Sequence, residues 1–170
     1  MKKNKLILFV GLGLISFFFG CEVFEVASYK PVYVITVNEI VKYPRAKRLE
    51  REISTITGDK IWINTNYYIH SSTIQAIDIV PSKDKTGYYD LKLKLDYHGK
   101  LVWMQLSAEY LNKQLAFIID GVCYKLIQPE KIITEEENVV LVKGPFEKVI
   151  AEALMEHSMK NYKYFHQNDY

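Results

Sequence analysis

Leu115-Ala116-Phe117-Ile118-Ile119-Asp120-Gly121-Val122-Cys123-Tyr124-Lys125-Leu126-Ile127 decides the fold. Two runs of β-branched and aromatic residues flank Asp-Gly, a pair suited to the left-handed backbone of a two-residue type I′ hairpin turn. Such a turn fixes register: Ile119 should oppose Val122, Phe117 should oppose Tyr124, and Leu115 should oppose Leu126. All six then share one face, the expected core face. The other face carries Ala116, Ile118, Cys123 and Lys125, and is apolar enough at Ile118 to receive a partner.

Upstream, Tyr88–Leu95 alternates cleanly, with Tyr89, Leu91, Leu93 and Leu95 on one side and Tyr88, Asp90, Lys92 and Lys94 on the other. Between it and the hairpin the period lengthens. Leu101, Met104, Ala108 and Leu111 predict a helix over Gly99–Leu111. Further strands are expected at Val32–Val37, Lys60–Asn64 and around Ile77-Asp78-Ile79. Ala46, Leu49, Ile53 and Ile56, behind Pro44, predict a helix over Arg45–Thr55. Ser71 or Ser72 is suited to cap a short turn running to Ala76, and Pro81–Gly87 reads as a loop. Beyond Pro129 and an acidic stretch at Glu135–Glu137, Asn138–Lys143 is a strand. Phe146–Ser158 is then a helix expected to bury Val149, Ile150, Ala153 and Leu154. Strands in runs with two main helices predict an α+β fold, a two-layer sandwich with a mainly antiparallel sheet and both helices on one face.

The 170 residues are 49% apolar and 25% charged, too apolar for a disordered chain and enough for about one domain. The first 20 residues hold three of the 22 basic side chains and no acid. Without them 19 basic residues face 20 acidic ones, a net of −1. A nearly neutral body has no electrostatic footprint for nucleic acid.

Lys2, Lys3 and Lys5 precede an apolar run of 14 residues, Leu6–Phe19. Crossing a bilayer takes roughly 20 residues of helix, so the run suits a secretory signal peptide better than a membrane span. Gly20-Cys21 closes it and looks like a bacterial lipobox, which makes Cys21 the expected site of lipid attachment, with cleavage before it. An uncleaved N-terminal anchor is the alternative. Either places the body outside the cytoplasmic membrane. The expected layout is a signal peptide over 1–20, a tether over 21–31, an α+β domain over 32–158 and a polar, aromatic tail over 159–170.

Residues that could carry chemistry are few. His70, His98, His157 and His166 are scattered, and no spacing matches a metal-binding motif. With Cys21 acylated, Cys123 has no partner within the chain. It is either a partly buried structural thiol or, with no evident base beside it, a poor nucleophile, and pairing between chains is a third reading. Neither a nucleophile elbow nor a phosphate-binding glycine loop occurs. No enzyme, cofactor, metal or small-molecule substrate is expected. Among 13 tyrosines and 8 phenylalanines, several fall in predicted loops, strand ends or the tail: Tyr67, Tyr68, Tyr88, Tyr162, Tyr164 and Phe165. Exposed aromatics bring contact area at little ordering cost. Tyr162, Tyr164 and Phe165, together with Ile118, are the expected partner-binding residues.

The order of motifs resembles a known family. Gly58-Asp59-Lys60-Ile61-Trp62-Ile63 is followed by a strand ending Leu93-Lys94-Leu95. A helix then leads through Leu106-Ser107-Ala108-Glu109-Tyr110-Leu111-Asn112 into the Asp-Gly hairpin, and Gly144-Pro145-Phe146 opens the last helix. Over residues 58–158 this is similar to the head subdomain of the first periplasmic domain of SecD/SecDF, with Asn112, Leu115, Ala116, Asp120, Gly121 and Pro129 on the matching positions. The resemblance implies a noncatalytic envelope domain that contacts an exported polypeptide or another envelope protein. It does not imply energy transduction, which in that family needs a transmembrane bundle. A structural lipoprotein subunit of an envelope or secretion assembly is the first alternative, and an enzyme whose pocket the sequence does not reveal is the second.

Overall fold

The computed structural model describes residues 29–46, 48–109, 114–130 and 138–167. The chain divides between Lys30 and Pro31, and the unit beginning at Pro31 holds every element described here. The order is β1 (Ile35–Ile40), β2 (Glu50–Ser54), β3 (Lys60–His70), a 3-10 turn (Ser71–Thr73), β4 (Ile74–Pro81), β5 (Tyr88–Leu95), α1 (Tyr97–Glu109), β6 (Leu115–Ile119), β7 (Val122–Ile127), β8 (Val139–Glu147) and α2 (Lys148–Phe165). The fold is α+β and sheet-dominated, as expected. Its strands divide between two antiparallel sheets, β2-β3-β1-β6-β7 and β4-β5-β8. The five-stranded sheet curls until its edges meet: Thr55, just past β2, bridges Cys123 of β7, and the Ile56 N–H donates to the Cys123 carbonyl at 3.0 Å.

The Asp-Gly turn forms with both residues in left-handed backbone, Asp120 at φ 48° and Gly121 at φ 84°, as a type I′ turn requires. Ile119 pairs with Val122 as expected. The register then slips, with Ile118 opposite Cys123 but Phe117 opposite Lys125 and Leu115 opposite Ile127. Tyr124 is the extra residue of a β-bulge, so Tyr124 and Lys125 together face Phe117. The expected pairings of Phe117 with Tyr124 and Leu115 with Leu126 are therefore wrong by one position. Ile127 enters the core in place of Leu126, which is 39% exposed, and Val122 is 40% exposed.

The main core draws on both sheets and both helices, around Trp103, Leu115, Phe117, Phe146 and Leu154. Phe117 meets Phe146 edge-on at 5.6 Å between centroids, while Tyr124 stacks on Phe146 at 5.8 Å. A smaller cluster fills the inside of the curled sheet with Ile53, Ile63, Ala116, Ile118 and Cys123. Ile118 is only 1% exposed, so the expectation that it receives a partner fails; Ile53 and Ile63, carried in by β2 and β3, cover it.

Residues 50–54 form a strand, not the expected helix. Pairing with β3 sets Ile53 against Ile61, while Leu49 and Ile56, counted toward the helical face, are exposed. The Glu50 carboxylate instead accepts the N–H groups of Arg45 and Ala46 and closes a turn. In α1 the buried face is Gly99, Trp103, Leu106 and Ser107, and Leu101 and Met104 face solvent. Gly99 lies so close to Thr73 that a side chain there would press on it. β8 continues through Gly144-Pro145, expected as a break. The Gly144 N–H donates to the buried carboxylate of Asp90 at 2.7 Å, and a methyl group on Gly144 would overlap the Tyr89 carbonyl oxygen.

Candidate functional site

α2 is built from good helix formers, and its buried stripe, Ala151, Leu154, Ser158 and Asn161, follows the helical repeat. Val149, expected in the core, is 72% exposed. The helix passes straight through 159–165, within the segment expected to be a polar, aromatic tail. The period is hidden because the last two buried positions are polar. Each is satisfied by backbone: the Ser158 hydroxyl accepts the Ile77 N–H at 3.1 Å and donates to the Met155 carbonyl at 2.9 Å, and the Asn161 side-chain amide donates to the Val32 carbonyl at 2.8 Å. Buried polar groups with such partners cost little, so the helix stays docked to its end.

That docking lays the last turn of α2 against the end of β3. The Phe165 ring meets the His70 imidazole edge-on at 4.6 Å, and Tyr67 stacks on the same imidazole at 4.8 Å. Tyr164 meets Phe165 at right angles at 5.4 Å. Tyr67 is 54% exposed and Tyr164 36%, so the group forms one partly wet aromatic patch. Tyr162 pairs with His166 at 4.3 Å, and the His166 Nδ1–H donates to the Tyr162 carbonyl. Of the expected partner-binding residues, Tyr164 and Phe165 join the patch and Ile118 does not. Tyr88 lies elsewhere, at the start of β5, with the Lys85 ammonium 4.0 Å above its ring. Cys21 lies outside the described residues.

His70 stands in no metal-binding spacing in the sequence. Besides joining the patch it has a local part: the Nδ1 atom accepts the Ser72 N–H at 3.0 Å, so imidazole, not serine, caps the 3-10 turn. Burial holds its pKa below the ordinary histidine value.

Little else suggests chemistry. Among the described residues no three His, Cys, Asp or Glu side chains gather to hold a metal. Cys123 is 2% exposed and its thiol donates to the Lys125 carbonyl at 3.7 Å. Burial pushes this thiol up, against a smaller opposing effect of that hydrogen bond, so it is poorly placed to act as a nucleophile.

A second feature lies between β7 and β8, where a cleft of about 260 Å³ is lined by residues including Trp103, Lys125, Leu126 and Leu141. Its rim carries Lys143, paired with Glu130 at 2.7 Å. The Lys125 ammonium spans the cleft and donates to the Lys143 carbonyl at 2.6 Å. Burial lowers the Lys125 pKa, with Asp90 and Asp84 pulling the other way.

No family model matches the chain, and no curated protein does. Solved structures do. A SecDF structure, described as that of a membrane component that enhances protein export, superposes with a TM-score of 0.54 at 14% identity, over 76% of this chain and 63% of that one. The fold is SecDF-like. SecDF in its super-membrane-facing form gives a TM-score of 0.50 at 12% identity, over 76% of this chain and 18% of that chain. The chain thus spans under two thirds of either SecDF chain, and the likeness reaches beyond residues 58–158, where the motifs lie. Among the described residues no helix is long and apolar enough to cross a membrane.

Proposed function

We propose that this chain is a noncatalytic, lipid-anchored envelope protein that makes protein or peptide contacts outside the cytoplasmic membrane with a SecDF-like domain. The observation that carries the reading is the patch at the end of α2, where Tyr67, His70, Tyr164 and Phe165 gather from sequence positions almost a hundred residues apart. A partly exposed aromatic group on rigid elements offers contact area with few rotamers to freeze. The SecDF-like fold supports an export-related partner, either a translocating chain or another envelope protein. The lipobox-like Gly20-Cys21 supports an acyl anchor at Cys21, and two or more chains there would hold the protein to the membrane surface.

A photo-crosslinking amino acid at Tyr67 or Tyr164, activated in the native envelope, tests the contact. Adducts with exported chains or an envelope protein are expected from both positions and not from Val149, which is exposed but sits in the first turn of α2, at the opposite end of the helix from Tyr164 and Phe165. Equal labelling from all three positions would refute the patch. Stable stoichiometric co-purification with one partner would favour a fixed subunit of an assembly over transient contact. Radiolabelled palmitate should appear on the parent chain and not on Cys21→Ser.

A further inference from the structure

β7 and β8 are edge strands of different sheets, and between them lies the cleft. β7 pairs with β6 and β8 with β5, and among the described residues Lys125–Ile127 and Leu141–Lys143 pair with no further strand. Edge strands present open backbone donors and acceptors that can pair with another chain. Here one acceptor, the Lys143 carbonyl, is held by a side chain. The Lys125 ammonium reaches across at 2.6 Å and takes the place that the N–H of an incoming strand would occupy. The bulge at Tyr124 makes this reach available, since it turns Lys125 to the side of Phe117 and away from the side of Cys123.

Three further observations bear on the chemistry of what fits. At about 260 Å³ the cleft falls short of the roughly 300–1,000 Å³ typical of small-molecule pockets, which favours a chain laid across it. Its walls are apolar at Trp103, Leu126 and Leu141 and polar at Gln128, Glu130 and Lys143. No described carboxylate forms an ion pair with Lys125, whereas Lys143 has Glu130. The half-buried Lys125 ammonium has a neutral carbonyl as its hydrogen-bond partner, and Asp90 and Asp84 act on its charge without forming an ion pair with it.

We infer that the β7–β8 cleft takes an extended polypeptide segment carrying a carboxylate between apolar residues, which adds as a strand beside β8. Its backbone N–H replaces the ammonium on the Lys143 carbonyl, and Lys125 swings onto the carboxylate. Alternate side chains rest on Leu126, Leu141 and Trp103. This is β-strand addition, with affinity from the main chain and selectivity from one charge. It rests on the reading that the protein contacts polypeptide, and adds where and in what conformation.

The test uses the full chain in detergent micelles and a fluorescein-labelled peptide, Val-Thr-Val-Glu-Val-Thr-Val, read by fluorescence anisotropy. Binding is expected, weakening at least tenfold when the glutamate becomes lysine or when alternate backbone amides are N-methylated. Lys125→Met, which keeps the apolar stem, should weaken the glutamate peptide at least tenfold and leave its glutamine counterpart within twofold. Absence of binding, equal binding of the N-methylated peptide, or an unaltered affinity in Lys125→Met would overturn the inference. The peptide-side comparisons are made on the unmodified protein, so they decide the matter even if Lys125→Met misfolds. Crosslinks from Tyr67 and Tyr164 without peptide binding in the cleft would remove this inference and leave the general reading intact.

Discussion

Asp120 does more than turn the chain. Its Oδ1 accepts the Val34 N–H at 2.8 Å and its Oδ2 accepts the Tyr33 N–H at 2.9 Å, while its own N–H donates to the Val34 carbonyl at 2.9 Å. The carboxylate therefore clamps the segment leading into β1, where Tyr33 sits in left-handed backbone at φ 55°. Asp120→Ala removes both accepted bonds and puts alanine into a left-handed position. Hydrogen bonds to a charged group contribute about 1.5–3 kcal/mol each, and exposure at the turn puts these at or below the lower end, about 2 kcal/mol for the pair. The left-handed conformation adds about 1 kcal/mol for alanine. The expected loss is about 3 kcal/mol, a large share of a stability of about 5–15 kcal/mol. Asp120→Asn keeps one acceptor and tolerates the backbone, so it should lose about 1 kcal/mol. Urea unfolding followed by the fluorescence of Trp62 and Trp103 measures both variants. A loss below about 1 kcal/mol in Asp120→Ala, or a greater loss in Asp120→Asn, would refute the clamp.

Gly144→Ala, which drives a methyl group into the Tyr89 carbonyl and the Asp90 carboxylate, should cost about 3 kcal/mol in the same assay; a neutral effect would show that β5 and β8 can part locally. Burial depresses the His70 pKa in the folded protein, so its contribution is complete above about pH 6.5 and is lost as pH falls through the folded value. His70→Asn can still accept the Ser72 N–H but does not titrate, so its stability should fall less steeply with acid; a slope equal to the parent's would count against this. Cys123 should resist an aromatic disulfide reagent about a hundredfold longer in the folded Cys21→Ser chain than in urea, and reaction at the unfolded rate would show that the curled sheet opens freely.

What could be read from the sequence was local. The Asp-Gly turn and the alternation of Tyr88–Leu95 follow from residues in contact along the chain, and both elements form with the expected bounds. The bulge at Tyr124 left no mark in the pattern. It accompanies the stacking of Tyr124 on Phe146, a residue of another sheet. The mistaken helix over 45–55 came from apolar spacing that β2 does not use, since one of its residues, Ile53, is buried. In α1 the buried face is set by Gly99, which lies against Thr73, with Trp103 and Leu106, whereas the apolar spacing of Leu101 and Met104 pointed to another face. The length of α2 was masked by Ser158 and Asn161, polar residues buried against backbone partners. The aromatic residues of the candidate site were picked out individually, but their meeting with Tyr67 and His70 depends on where α2 docks.

β6 is buried along its whole length, and its five residues look in two directions: Leu115, Phe117 and Ile119 toward the main core, Ala116 and Ile118 toward the small one. It is a party wall. Neither compartment can lose its partition without the other being breached, so heat should melt the body in a single step, with equal calorimetric and van't Hoff enthalpies. A chain whose halves were stitched together as independent modules would instead melt in two.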